Sequence, residues 1–205
     1  LSNSLYQTQR LDEALELLNH WVSRYPDAPT LHNNLGIVYH LKGMDEQAEY
    51  HWQKALLLEP NNADAHTNIG LLLIHQGNLE QALQSCEKAF QLKPDDINIV
   101  NNLGEAYAKN NQRESAIQMA KYAIKLQPNL PNSYVLLGNL HNQNDQNRPD
   151  NYSMARFYYQ KALEIDPVFY TAINNLGVIF RLEGELDEAE KLFRKAIAMY
   201  PNNSD

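Results

Sequence analysis

Cysteine, long apolar runs and basic residues are all scarce in this sequence. Its 205 residues include one cysteine, Cys86, which excludes an intramolecular disulfide and a paired-cysteine metal site. The longest apolar run, residues 69–74, is far shorter than the roughly 20 residues that span a bilayer, so we expect no membrane insertion. The compartment stays undetermined on these grounds, with a cytoplasmic location as the first expectation.

Charge narrows the range of partners. The chain carries 17 Lys and Arg against 25 Asp and Glu, a formal net charge of -8. Proteins that bind phosphate backbones need clustered basic residues, so we expect no nucleic-acid partner. Hydrophobic residues make up 43% of the chain, which is enough to bury a sizeable core.

What the sequence does contain is an internal repeat. A Leu-Gly or Ile-Gly pair recurs with its glycine at residues 36, 70, 104, 138 and 177, so the spacing is 34, 34, 34 and 39 residues. With Leu35 counted as position 7 of a repeat, small residues recur at positions 20 and 27, and a large residue usually fills position 24. Proline closes the repeats at position 32, as Pro26, Pro60, Pro94, Pro128, Pro167 and Pro201.

Several positions that recur in phase make the sequence similar to the tetratricopeptide repeat family over nearly its whole length. The resemblance implies an all-α, right-handed superhelical solenoid of antiparallel helix pairs, here called helix A and helix B, with a concave groove. The residue types agree, because small residues at positions 8, 20 and 27 allow close helix approach. Gly43, Gly77 and Gly184 at position 15, with Asn111 as their equivalent, predict left-handed residues at the ends of the A helices.

We expect one array of repeats whose units are a partial unit 1–28, then 29–62, 63–96, 97–130, 131–169 and 170–205. The fifth unit carries about five extra residues near 142–151, a wholly polar segment that predicts an exposed turn before helix B resumes near Ser153. A tolerated loop insertion is the simpler interpretation, and a partner contact is the alternative. Neither terminal repeat shows a polar capping helix, so we expect a piece of a longer protein, with end-to-end self-association left open.

Residues able to carry catalysis are isolated from one another. Cys86 lies at position 24, where a buried thiol is a better interpretation than a nucleophile. His32 and His66 share position 4 and are interpreted as packed rings. His40 and His75 could meet in the groove, but no third ligand accompanies them. We therefore expect no enzyme activity, cofactor or metal within this chain.

The groove offers a different kind of site, because amides recur on helix A. Family resemblance implies that positions 2, 5, 6, 9, 12 and 13 face the groove, and position 6 resembles the asparagine ladder in the repeat region of O-linked N-acetylglucosamine transferases. That position holds Asn34, Asn68, Asn102 and Asn175, and Leu136 interrupts the series. An amide both donates and accepts, which matches the backbone of an extended peptide. The amides could instead bind water or tie neighbouring helices together.

The other candidate contacts form two groups. A second, weaker amide row consists of Asn33, Asn101 and Asn174, and the remaining candidates are Ile37, His40, Leu71, His75, Asn139 and Val178. The Lys, Arg and Asn set of a chaperone-type carboxylate clamp is missing from the equivalent positions. The leading hypothesis is thus a non-catalytic module that binds an extended peptide or protein segment in its groove. The alternatives are the substrate-recruiting arm of a larger enzyme, such as a glycosyltransferase, and a self-assembling structural scaffold.

Overall fold

The structure, a computed structural model, describes residues 2–142 and 149–199, which contain eleven α-helices and no β-strand. The all-α fold class is therefore confirmed. The helices are α1 (Ser2–Arg24), α2 (Pro29–Leu41), α3 (Asp45–Leu58), α4 (Ala63–Gln76), α5 (Leu79–Leu92), α6 (Ile97–Lys109), α7 (Arg113–Leu126), α8 (Pro131–Asn142), α9 (Pro149–Ile165), α10 (Tyr170–Glu183) and α11 (Leu186–Met199). In these ranges no helix has the length and apolar character needed to cross a membrane.

The helices divide between two compact units, Leu1–Asn110 with α1 to α6 and Asn111–Asp205 with α7 to α11. In the first unit α2 packs along α3 and α4 along α5, while in the second α8 packs along α9 and α10 along α11. Helices that pack along each other across a turn of two or three residues run antiparallel, as in α2 and α3. These pairs are the A and B helices of the repeat.

Close packing within each pair depends on the glycine at position 8. A Cβ added to Gly70 would lie 2.6 Å from Cys86 Sγ, and one added to Gly177 would lie 2.8 Å from the Phe193 ring. The same overlap arises between Gly36 and Trp52 and between Gly138 and Tyr159. In all four pairs the partner is the residue at position 24, so the predicted close approach of the helices at the small residue of position 8 is confirmed.

The helix ends follow the local rules that the sequence predicts. Gly43, Gly77 and Gly184 have φ values of 72°, 79° and 84°, and Asn111 adopts φ 58°, so all four left-handed residues are confirmed. Helix B ends just before proline because the preceding residue is pushed into an extended conformation, as at Glu59 with φ -137° and ψ 87°. These turns set the spacing between successive pairs.

The inserted repeat differs from the prediction at one boundary. Helix α8 includes Asn142 and α9 begins at Pro149, so the expectation that helix B resumes near Ser153 is wrong. The backbone N–H groups in the first turn of a helix have no partner within the helix, so proline, which lacks an N–H, is compatible with that position. Proline can therefore begin a helix as well as end one. The rest of the predicted turn, 143–148, lies outside the described residues. So do residue 1 and 200–205, on which the expectations about the two chain ends partly rest.

We expect Gly36→Ala to destabilise the first unit, because the new methyl group would collide with the Trp52 ring between α2 and α3. Overpacking of this kind costs about 1–3 kcal/mol, which should lower the urea midpoint of unfolding followed by circular dichroism. Gln47→Ala, at an exposed position on α3, is the control and should leave the midpoint unchanged. Equal midpoints for the two variants would contradict the close-packing argument.

Candidate peptide-binding site

The position 6 amides of the first unit lie on three A helices, α2, α4 and α6. Asn34 is exposed, whereas Asn68 and Asn102 are half-buried. Helix α4 packs against both α2 and α6, so these equivalent positions lie on successive neighbouring helices. The three side chains thus reach the surface beside a packed core, as a peptide-binding face requires.

Asn68 also contacts a residue of the second amide row. Its Nδ2 donates to Asn33 Oδ1 at 3.0 Å, which joins α4 to α2. Asn33 is only 8% exposed, and its backbone carbonyl accepts a hydrogen bond of 3.1 Å from Trp52 Nε1. The tie between neighbouring helices that the sequence left as an alternative therefore occurs at Asn68. Asn101, the equivalent of Asn33 on α6, is half-buried.

The second unit contains a related but tighter amide arrangement. Asn175 Nδ2 on α10 donates to Asn139 Oδ1 on α8 at 2.8 Å. The hydroxyl of Tyr159 on α9 donates to the same oxygen, also at 2.8 Å. Burial raises the pKa of Tyr159 to about 12, with a hydrogen bond from Asn175 opposing that rise, so the phenol is protonated at neutral pH. Asn174 is half-buried beside this cluster.

The apolar and histidine candidates differ in accessibility. Ile37 is 38% exposed, and Leu71 and Val178 are half-buried. His40 is exposed and lies with Nδ1 2.6 Å from Asp45 Oδ1 across the α2–α3 turn. His75 is exposed at the end of α4. In the described ranges no group of three or more His, Cys, Asp or Glu side chains could hold a metal.

The contacts of Cys86 and of the position 4 histidines agree with structural roles. Cys86 is buried, and burial, followed by the nearby Glu105 and Glu87 carboxylates, raises the pKa of its thiol to about 12. A thiol in that state is a poor nucleophile, which agrees with its interpretation as a core residue. At position 4, His32 and His66 place Nε2 at 2.9 and 3.0 Å from the carbonyls of Pro26 and Pro60.

Sequence reasoning missed a stack of histidine on tyrosine between helices A and B. His51 stacks on Tyr39 with ring centroids 5.3 Å apart, and Tyr158 stacks on His141 at 5.4 Å. The two stacks use the same repeat positions, 11 and 23, with the residue types exchanged. Aromatic residues at both positions were the available signal, but position 23 is not a recurrent feature of the other repeats.

Both stacked histidines favour their neutral form. Burial lowers the pKa of His51, and nearby His32 adds to that effect. His32 Nε2 faces the Pro26 carbonyl and so carries the proton, which leaves its Nδ1 to accept from His51 Nδ1 at 3.0 Å. Burial also lowers the pKa of His141, followed by Arg113 and Lys121, with Glu114 acting in the opposite direction.

Comparison with family models matches most of the chain to one description, Tetratricopeptide repeat. The matched residues are 29–62, 63–96, 97–130, 150–169 and 170–203. The chain belongs to the tetratricopeptide repeat family. Tetratricopeptide repeats generally mediate protein–protein interactions and are typically non-catalytic.

Individual proteins and solved structures are also similar to this chain. The crystal structure of MamA is 25% identical and superposes with a TM-score of 0.66, covering 83% of this chain and 96% of MamA. YrrB, described as a tetratricopeptide repeat protein with an unusual peptide-binding site, is 20% identical with a TM-score of 0.66 over 93% of this chain and 95% of YrrB. The uncharacterised protein ycf37 of Pyropia yezoensis is 37% identical over 51 residues, which span 25% of this chain and 29% of ycf37.

The lowered pKa values predict that these repeats lose stability in mild acid. A histidine whose pKa is depressed by folding contributes full stability above its unfolded pKa of roughly 6.5 and loses that contribution as the pH falls through the folded pKa. We expect the urea midpoint to fall as the pH decreases from about 7.5 to 5.5, and to fall less in His141→Phe, which keeps the ring stack on Tyr158.

The matched control for this titration is His75→Asn, which removes an exposed histidine from α4. It should retain the pH dependence of the natural chain. If His141→Phe and His75→Asn showed the same midpoints at every pH, burial of His141 would not be a source of acid sensitivity.

Proposed function

We propose that the face formed by α2, α4 and α6 binds an extended peptide segment through its asparagine side chains. Asn34 and Asn102 carry this proposal. Each reaches the surface at position 6, and within the described part of the chain no hydrogen-bond partner occupies either amide. Because an amide donates and accepts at once, such a pair can bond to a peptide C=O and N–H whatever the ligand's side chains are.

Apolar contacts would add affinity without adding sequence specificity. Ile37 follows Asn34 by three residues on α2, and Leu71 follows Asn68 by three residues on α4, so each lies on the same helix face as its amide. Both side chains are at least partly accessible. Burying them against a ligand would supply part of the binding free energy that polar contacts alone rarely provide.

Charge on this face favours neither strongly acidic nor strongly basic ligands. Asp64 at the start of α4 is paired with Lys93 at 2.8 Å, and Glu105 and Lys109 on α6 carry opposite charges. YrrB, whose description includes a peptide-binding site, shares the fold and gives the proposal a precedent. The second unit carries comparable candidates in Asn174 and Val178, which we propose as peptide contacts of that unit.

The proposal predicts that Asn34→Ala combined with Asn102→Ala weakens peptide binding. The probe is a fluorescein-labelled 12-residue peptide selected on the natural chain from a random-sequence display library, and Kd is measured by fluorescence anisotropy. Loss of two amide contacts should cost about 1–3 kcal/mol of binding free energy. Helicity and the urea midpoint should not fall, since alanine is the better helix former. Adding Asn68→Ala should weaken binding further and also lower stability, because Asn33 Oδ1 then loses its donor.

The matched control replaces two exposed amides on B helices, Gln47 on α3 and Gln81 on α5, with alanine. Its Kd should equal that of the natural chain. The proposal fails if the library yields no peptide that binds, or if the Asn34 and Asn102 substitutions leave Kd unchanged.

A further inference from the structure

Tyr159 has a ring that packs in the core and a hydroxyl that takes no part in that packing. The side chain is 1% exposed, and its ring fills the space beside Gly138 between α8 and α9. Other repeats fill the same position with Trp52, Cys86 and Phe193, none of which has a hydroxyl. The Tyr159 hydroxyl leaves the core and donates to Asn139 Oδ1 at 2.8 Å.

Asn139 has no acceptor capacity left. An amide oxygen has two lone pairs, and the hydrogen bonds from Tyr159 and from Asn175 Nδ2, each 2.8 Å long, occupy both. The N–H groups of the half-buried Asn139 are then the hydrogen-bonding capacity that this amide has left to offer a ligand.

We propose that Asn139 is a donor-only contact for a backbone carbonyl of a peptide bound to the second unit, and that Tyr159 is the positioning residue that gives it this polarity. The inference rests on the proposed peptide-binding function and extends it to the second unit. Asn175 uses an N–H in this cluster, so its own carbonyl oxygen supplies the complementary acceptor for a peptide N–H. Together the two amides offer a donor on α8 and an acceptor on α10.

The first unit contains a different arrangement around Trp52, the counterpart of Tyr159. Asn33 Oδ1 accepts from Asn68 Nδ2, but Trp52 donates to the Asn33 backbone carbonyl instead of to the side chain. The described hydrogen bonds thus give the Asn33 amide oxygen one donor and the Asn139 amide oxygen two. Because Asn33 lies at position 5 of its repeat and Asn139 at position 9, the two amides are not equivalent, and the donor-only role is proposed for Asn139.

The substitution Asn139→Asp separates the acceptor role of this side chain from its donor role. A carboxylate is nearly the same shape and still accepts from Tyr159 and Asn175, but it has no N–H to offer a ligand. We expect the urea midpoint to be retained and the Kd to rise roughly tenfold for a 12-residue peptide chosen from the same library because it shifts the Asn139 NH₂ signals of the natural chain. Gln160→Glu, at an exposed position on α9, makes the same chemical change away from the site and should leave Kd unchanged.

Tyr159→Phe tests the positioning role. It keeps the ring against Gly138 and removes only the hydroxyl, so Asn139 regains an acceptor position and its amide can reorient. The side-chain NH₂ signals of Asn139 in a ¹⁵N–¹H spectrum should shift on addition of peptide to the natural chain and respond less in Tyr159→Phe, with a Kd roughly threefold weaker. A purely structural role for the hydroxyl would change the urea midpoint but not the NH₂ response.

The outcomes distinguish this inference from the proposed function. If Asn139→Asp binds as tightly as the natural chain, or no more weakly than Gln160→Glu, the donor-only role is wrong even when the Asn34 and Asn102 substitutions weaken binding. A large fall in the urea midpoint of Asn139→Asp would also overturn it, because the aspartate should keep both internal hydrogen bonds. If no variant in either unit changes Kd, the inference and the proposed function fail together.

Discussion

Close contact between a glycine on helix A and the side chain at position 24 on helix B is the constraint on which four of the helix pairs depend. A single methyl group at Gly36, Gly70, Gly138 or Gly177 would overlap its partner at position 24. The absence of a Cβ brings the helices close enough for buried leucines such as Leu35 and Leu137 to fill the remaining space. Because each of these four pairs needs this fit once, the glycine and its partner recur at the same two positions of the repeat.

The same contact orients the groups that lie outside the core. Trp52 and Tyr159 fill equivalent spaces, and each extends a polar tip to the neighbouring A helix, at Asn33 and Asn139 respectively. A ring held by close packing has little rotational freedom, so its N–H or O–H is a fixed donor. Tyr159 thereby supports the Asn139 side chain from the core, and Trp52 supports the backbone at Asn33.

Sequence reasoning succeeds where one local rule decides the structure. The left-handed residues at 43, 77, 111 and 184 follow from glycine and asparagine at helix ends, and burial of Cys86 follows from its place in the repeat. It fails at Pro149, where the insertion has no period and proline is compatible with both a turn and a helix start. Ties between helices were an open alternative from sequence, but the partners in Asn33–Asn68 and Asn139–Asn175 were beyond reach, since they depend on side-chain rotamers of residues 35 and 36 positions apart.

The contacts between asparagine side chains limit how freely the amides of the row can rotate. A free amide can rotate to present either its donor or its acceptor, so a row of free amides would hold a peptide in many registers. In each unit, however, a position 6 asparagine donates to an asparagine of the preceding repeat, from Asn68 to Asn33 and from Asn175 to Asn139. The bond fixes which end of each amide remains outward, and it reduces the ordering that a ligand must impose on binding. Within each unit such fixed amides would limit the register of a bound backbone, whereas amides without a partner, such as Asn34, could rotate to match it.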